Sequence, residues 1–355
     1  MAGKSSKRGV SVEIFCESGQ EMGLGHLYRC IKLARICAQI PEIATITLHN
    51  RGDFAPDLSK IVPRELRTRI HFFTQEWLSY THKPCPAPSL TIIDSYQANR
   101  AFYTLIQQRG NALICLDDTL RDIYPAQSYI LNPTPEARTH FASKPYYLWC
   151  GEEYAIVPQY AQVKPRPQLV APSSTRHIFV NFGGVDSRDL TQAFISALAA
   201  LESAFCLRGE FHIVLGGGYT HKLHLPALRH NRVHIYRDLS PDAFLSLAQA
   251  CDYAISAGGG SMLELLGLKI PSIILESAPN QRSQIAHFEK KGVIIQATDA
   301  QNALSILTNL LANTSQTQAI KIALESLQLG SALEAALQDL AQALLISTLK
   351  PLAPM

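Results

Sequence analysis

The chain has 355 residues, of which 47% are hydrophobic and 17% charged; that balance supplies a full apolar core, excludes an intrinsically disordered chain, and at this length points to two domains. Its 32 basic and 29 acidic residues leave a net charge of +3, too small and too scattered for a nucleic-acid footprint. No run approaches the roughly 18 uninterrupted apolar residues of a membrane span, and the opening MAGKSSKRG leads straight into Val10–Phe15, so a cytosolic protein is expected.

Short apolar runs alternate with helical patterns, the signature of parallel βαβ units. Val10–Cys16 reads as a strand, a glycine-bearing loop follows, and His26–Gln39 carries apolar residues at helical spacing. Further strands are predicted at Ala44–Leu48, Ile70–Phe73, Leu90–Ile93, Ala112–Leu116 and Tyr129–Asn132, which makes residues 1–161 one Rossmann-like domain. The proline-rich stretch 162–175 cannot sit inside a helix and reads as a linker.

The same grammar restarts in HIFVNFGGVDSRDLTQAFISAL and continues through FHIVLGGG, VHIYRD, PDAFLSLAQAC, DYAISAG, SMLELLGL and PSIILES. Residues 176–298 are therefore a second domain of the same class. From 299 to 355 the pattern is helical, a tail expected to pack outside or to cross back to the first domain. The eight cysteines never form CxxC and most lie in apolar runs, which predicts reduced, buried side chains. The twelve histidines give no HExxH or close paired spacing, so no metal ligand set is indicated.

Three loops could carry chemistry. In SGQEMGLGHLYR, Gly23 and Gly25 permit a tight turn and close approach to a ligand, and the helix start beyond them favours an anion. Tyr28 stands where a dinucleotide fingerprint has its third glycine, and no GK[ST] follows, so neither nucleotide motif applies. His26 falls on the first turn of the helix, at the carboxyl end of a strand, where open α/β sheets bind ligands and where a histidine can act as general base; a capping or packing histidine is the alternative. The second loop is Asn181–Asp186, where Gly183 and Gly184 permit a backbone cradle and Asp186 can cap the next helix. The third, Ser256–Glu264, has three consecutive glycines and then Ser261, a nest of N–H groups suited to phosphate. Glu264, one turn into that helix, can accept from ribose hydroxyls or merely complement the helix dipole.

Taken in order, GLGHLYRC (23–30), IIDSY (92–96), LDD (116–118), LNP (131–133), CGEEYAIV (150–157), NFGG (181–184), ISAGGGSMLEL and IILESAPNQ resemble the UDP-sugar hydrolases of pseudaminic acid biosynthesis, over roughly Val10–Gly292. The resemblance implies an α/β architecture of the GT-B fold, two Rossmann-like parallel-sheet domains facing a cleft, with the helical C-terminal tail as an addition. It implies release of UDP from UDP-2,4-diacetamido-2,4,6-trideoxy-β-L-altrose, with His26 as the base that activates water and Tyr96 and Asn280 in the sugar pocket. It also implies substrate or UDP contacts at Gly23, Gly25, Arg29, Gly183, Gly184, Gly259, Gly260, Ser261, Glu264 and Gln281, with uracil read by backbone near Arg237–Leu239. No cofactor, metal, nucleic-acid partner or membrane span is implied, and a monomer or weak oligomer is expected.

The chain departs from the family's pattern at Phe15 and Glu17, where an Arg-x-Asp pair is usual, and at Glu21, where glutamine is usual. A glycosyltransferase of the same fold, a hydrolysing UDP-sugar 2-epimerase using Glu17 and Glu21, and a non-catalytic UDP-sugar sensor are the rival readings. LDD could hold a metal, although a strand-end turn fits it better.

Overall fold

A computed structural model describes residues 9–19, 23–52, 57, 62, 64–79, 88–109, 112–157, 175–201 and 209–349. Glu21 and the expected linker, apart from its last residue, lie outside them. The chain divides into two compact units, the first taking the chain up to Met22, His26–Ile156 and Gly330 onward, the second taking Gly23–Gly25 and Val157–Leu329.

The first unit runs β1 (Val10–Glu17), α1 (Gly25–Cys37), β2 (Ile43–Arg51), β3 (Ile70–Thr74), β4 (Ser89–Asp94), α2 (Arg100–Gln107), β5 (Ala112–Leu116), β6 (Tyr129–Asn132), α3 (Glu136–His140) and β7 (Tyr147–Cys150). These strands form one parallel seven-stranded sheet in the order β3-β2-β1-β4-β5-β6-β7. Every residue of β4 is buried, the expected pattern for a parallel strand covered on both faces.

The second unit runs β8 (Arg176–Asn181), α4 (Leu190–Leu201), β9 (Gly209–Leu215), β10 (Arg232–Arg237), α5 (Pro241–Gln249), β11 (Tyr253–Ala257), α6 (Gly260–Gly267), β12 (Ser272–Leu275), α7 (Arg282–Lys290), β13 (Ile294–Ala297), α8 (Ala300–Ala312) and α9 (Thr314–Glu325). Its parallel sheet has the order β10-β9-β8-β11-β12-β13. Local chemistry starts the helices: Ser240 accepts from Ala243 N ahead of α5, and Asp299 accepts from Asn302 N ahead of α8. Lys269 Nζ donates to the carbonyls of Leu324 and Leu327 at 2.6 and 3.0 Å, tying the end of α9 to this unit and satisfying carbonyls that a helix end leaves open.

The expected tail from residue 299 thus has two parts. Helices α8 and α9 stay with the second unit, whereas α10 (Leu333–Leu349) belongs to the first. Gly330 N and Ala332 N donate to the carbonyls of Glu152 and Glu153, each at 2.8 Å. Leu333, Leu337, Leu340 and Ala341, at helical spacing, then pack into the cluster that holds Val10, Val12, Ile14 and Cys16 of β1 with Leu27, Ile31 and Ala34 of α1. The opposite face of the first sheet buries Phe15 and Ile93 against Trp77, Phe102, Tyr103 and Ile106. Cys16, Cys30, Cys37, Cys115, Cys150 and Cys251 are buried and free; Cys85 and Cys206 lie outside the described residues. Among the described residues no helix is long and apolar enough to cross a membrane.

Candidate active site

Each sheet reverses its strand order once, between β1 and β4 in the first unit and between β8 and β11 in the second. Crevices beyond the carboxyl ends of strands at such points are where open α/β sheets bind ligands. The candidate residues of the first unit gather at the first of these reversals: His26 opens α1 after β1, and Asp94 is the last residue of β4.

His26 Nδ1 lies 2.6 Å from Asp94 Oδ1, with both side chains buried. Arg29, one turn along α1, donates from Nε and Nη2 to the two Asp94 oxygens, each at 2.7 Å. Burial alone would push the Asp94 carboxyl up, but the Arg29 guanidinium and then His26 hold it well below the usual carboxylate range. A carboxylate only accepts, so the shared hydrogen sits on His26 Nδ1. In the neutral ring the lone pair is then on Nε2, which has no hydrogen-bond partner among the described residues. Asp94 therefore fixes the tautomer and the ring plane, and it can stabilise an imidazolium formed there.

Tyr96 closes against the same ring. Its ring meets that of His26 edge to face at 4.4 Å, and its hydroxyl donates to Asp118 Oδ1 at 2.8 Å. Asp118 Oδ2 accepts from Arg29 Nη1 at 3.1 Å. Burial, reinforced by the Asp118 carboxylate, raises the Tyr96 hydroxyl far above the ordinary tyrosine range, so it stays a donor. The Arg29 guanidinium, expected among the substrate contacts, is engaged by two carboxylates of its own unit.

The residues around this cluster are positioned by further buried bonds. Glu17, wholly buried, accepts from Tyr96 N at 2.6 Å and Ser95 Oγ at 3.0 Å, so its carboxylate is spent on holding the 94–96 loop. The LDD pair splits its duties. Asp117 accepts from Thr119 N and Arg121 N and makes the strand-end turn, while Asp118 joins Arg29 and Tyr96. Phe15 stacks on His49 at 4.6 Å in the core. Asp94 is not among the predicted site residues; Asp118 enters the prediction only through LDD as a possible metal holder, and Glu17 only through the epimerase reading. Asp94 and Asp118 sat inside quoted motifs, and only the parallel pairing of β1 with β4 and of β4 with β5 reveals them as neighbours of His26.

In the second unit the loops after β8 and β11 flank the strand-order reversal. Gly183 has φ of 96° and Gly259 has φ of 91°, backbone that side chains rarely adopt. Asn181 Oδ1 accepts from Gly183 N, and the carbonyl of Gly184 accepts from Gly218 N at 2.9 Å. Asp186 binds Leu190 N and Thr191 N, each at 2.9 Å, so the start of α4 is already capped. Gly259, at the start of α6, carries no side-chain cap, and the N–H groups of Gly260 and Ser261 stand at the head of that helix. Glu264 is buried one turn on. Gln281 closes the 277–281 turn by accepting from Ser277 N at 2.9 Å, and its side chain lies over Gly258. Asn280 sits in the same turn, Pro279–Gln281. Leu239 is partly buried and packs against the cluster that holds Phe179 and Leu265.

No protein-family model matches the chain. It is 25% identical over 335 residues to the pseudaminic acid cytidylyltransferase and UDP-2,4-diacetamido-2,4,6-trideoxy-β-L-altropyranose hydrolase of Helicobacter pylori, covering 93% of this chain and 55% of that protein. It is 23% identical over 296 residues to an uncharacterized protein of Methanocaldococcus jannaschii, covering 79% of this chain and 59% of the relative. The chain thus spans little more than half the length of these relatives. Among solved structures, an S. aureus MnaA–UDP complex matches with a TM-score of 0.60 at 13% identity, over 98% of this chain and all of that one. MurG of Acinetobacter baumannii matches with a TM-score of 0.57 at 11% identity, over 94% and 99% of the two chains. The chain has the GT-B fold, and over most of its length its sequence is similar to the hydrolase-bearing enzyme of Helicobacter pylori.

Proposed function

We propose that the chain is a UDP-sugar hydrolase that releases UDP from UDP-2,4-diacetamido-2,4,6-trideoxy-β-L-altrose by attack of water at the anomeric carbon, a step of pseudaminic acid biosynthesis serving flagellin or surface glycosylation. The observation that carries this reading is the buried His26–Asp94 pair, with Nδ1 committed to the carboxylate and Nε2 left to take a proton. The substrate's name comes from the sequence resemblance and from the similarity to the Helicobacter enzyme.

In the proposed reaction, His26 Nε2 removes a proton from water as its oxygen forms the new bond to the anomeric carbon. The bond from that carbon to the diphosphate oxygen breaks on the opposite side, its electron pair leaves with UDP, and the free sugar emerges inverted. Asp94 stabilises the imidazolium so formed. Tyr96 and Asn280 hold the sugar. The diphosphate is taken by the N–H groups of the 259–261 loop and the Gly183–Gly184 turn, the ribose by Glu264, and the uracil by backbone near Leu239. Because those donors are backbone groups, turnover needs no metal ion. The commitment of Glu17 to Ser95 and Tyr96 weighs against the epimerase reading, which needs that carboxylate at the sugar. The test is the time course of UDP release with this substrate beside UDP-N-acetylglucosamine: release from the first supports the proposal, and release from neither overturns it.

A further inference from the structure

At the amino end of the second sheet, far from its glycine turns, three imidazoles and a carboxylate meet on one face. His177 is the second residue of β8, Glu210 and His212 the second and fourth of β9, and His234 the third of β10. The register sets His177 opposite Glu210 and His212 opposite His234. The His212 ring stacks with His177 at 5.4 Å and with His234 at 5.0 Å. His177 Nδ1 and His212 Nε2 are 3.1 Å apart. One donor atom from each of His177, Glu210 and His212 lies within 4.8 Å of the others. All three side chains are only partly buried, which leaves a path for an ion to enter.

We propose that His177, Glu210 and His212 form a binding site for a divalent transition-metal ion of the zinc class, with water as the fourth ligand. Two imidazole nitrogens at zinc-bond lengths of about 2.0–2.1 Å on a tetrahedral ion stand about 3.3 Å apart, close to the separation already present. A two-nitrogen, one-carboxylate donor set suits zinc, and copper or nickel compete for imidazole. The groups behind the donors are also in place. Tyr236 Oη lies 3.1 Å from His212 Nδ1, so when that nitrogen carries the hydrogen, Nε2 presents its lone pair. His234 Nε2 lies 3.1 Å from Glu210 Oε2 and can donate to it, orienting the carboxylate. Arg232, 3.8 Å from Glu210 and 79% exposed, can swing into solvent when a cation replaces it. The ion would bridge β8 to β9 about 20 Å along the strands from Gly183, so its role is to clamp the sheet and not to act on substrate.

Untagged full-length protein, freed of metal by chelator and dialysed, is titrated with zinc chloride against a competing chromophoric chelator. One equivalent binds, and the midpoint of thermal unfolding rises with zinc. The double variant His177→Gln/His212→Gln, checked for native circular dichroism, loses that equivalent; Glu210→Gln weakens it, and His234→Ala weakens it about 10–100-fold. Equal binding by the wild type and by a folded double variant, or no stoichiometric binding by the wild type, overturns the proposal. The readout is metal bound per chain, so it stands apart from any result on UDP release.

Discussion

The Nδ1 atom of His26 and the Oδ1 atom of Asp94 lie 2.6 Å apart, although 68 residues separate them in the chain. A helix start and a strand end meet there because β1 and β4 are neighbours at the point where the sheet reverses its order. Asp94 thereby decides which nitrogen of His26 carries the hydrogen and which keeps its lone pair.

Asp94→Asn tests that dependence. An amide can offer its NH₂ group to Nδ1, which leaves the hydrogen on Nε2 and removes both the base and the charge behind it. Turnover should fall about 10²–10⁴-fold with UDP affinity unchanged. Wild-type turnover in a folded Asp94→Asn variant would remove Asp94 from the account.

His26→Ala should cost a similar factor in turnover and leave the dissociation constant for UDP, measured by calorimetry, within a few-fold. Loss of UDP binding without loss of rate at saturation would assign His26 to the nucleotide instead.

Glu264→Gln should do the reverse. The side chain is buried one turn into α6, and the amide keeps its volume while dropping the charge. UDP affinity should fall about tenfold, as expected for loss of a charged acceptor worth about 1.5 kcal/mol, and turnover at saturation should change little. An unaltered dissociation constant would leave Glu264 a first-turn acid and nothing more.

The Asp94–Arg29 pair ties stability to acid. Burial opposes ionisation of Asp94, but Arg29 and His26 lower its carboxyl below the unfolded value of about 3.9. As pH falls, the unfolded chain therefore takes up that proton first. The contribution of Asp94 is complete above about pH 5 and drains away as pH drops through the ordinary carboxylate range and below it. Arg29→Met removes the main lowering partner and leaves a buried carboxylate without its cation. Urea unfolding should show a loss of about 3 kcal/mol at pH 7 and a shallower further loss between pH 5 and 3. Equal acid slopes in the two proteins would contradict this coupling.

Local order was the legible part of this chain. The strand, glycine loop and helix around His26 follow from neighbouring residues, and the structure extends the strand to Glu17 and sets the helix at Gly25–Cys37. Tyr147–Cys150 and Ile294–Ala297 also form strands, of four residues each, which the predicted apolar runs do not include. What a sequence pattern omits is which strand ends become neighbours. Asp94 and Asp118 lay in recognised motifs, yet their partnership with Arg29 depends on the order of β1, β4 and β5. Glu17 stood out as a departure from the family pattern, but its burial and its bonds to the 95–96 backbone come from the strand pairing. Likewise Glu210 and His212 share a face through strand alternation, whereas His177 reaches them only across the sheet.

Water attack at the anomeric carbon separates the proposed hydrolysis from transfer to another acceptor. It is tested most directly by running the reaction on UDP-2,4-diacetamido-2,4,6-trideoxy-β-L-altrose in isotopically labelled water, with proton NMR of the anomeric signal and mass spectrometry of both products. The inverted anomer should form first, and the heavy oxygen should enter the sugar and not UDP. Heavy oxygen in the released nucleotide, or a sugar of retained configuration, would contradict it.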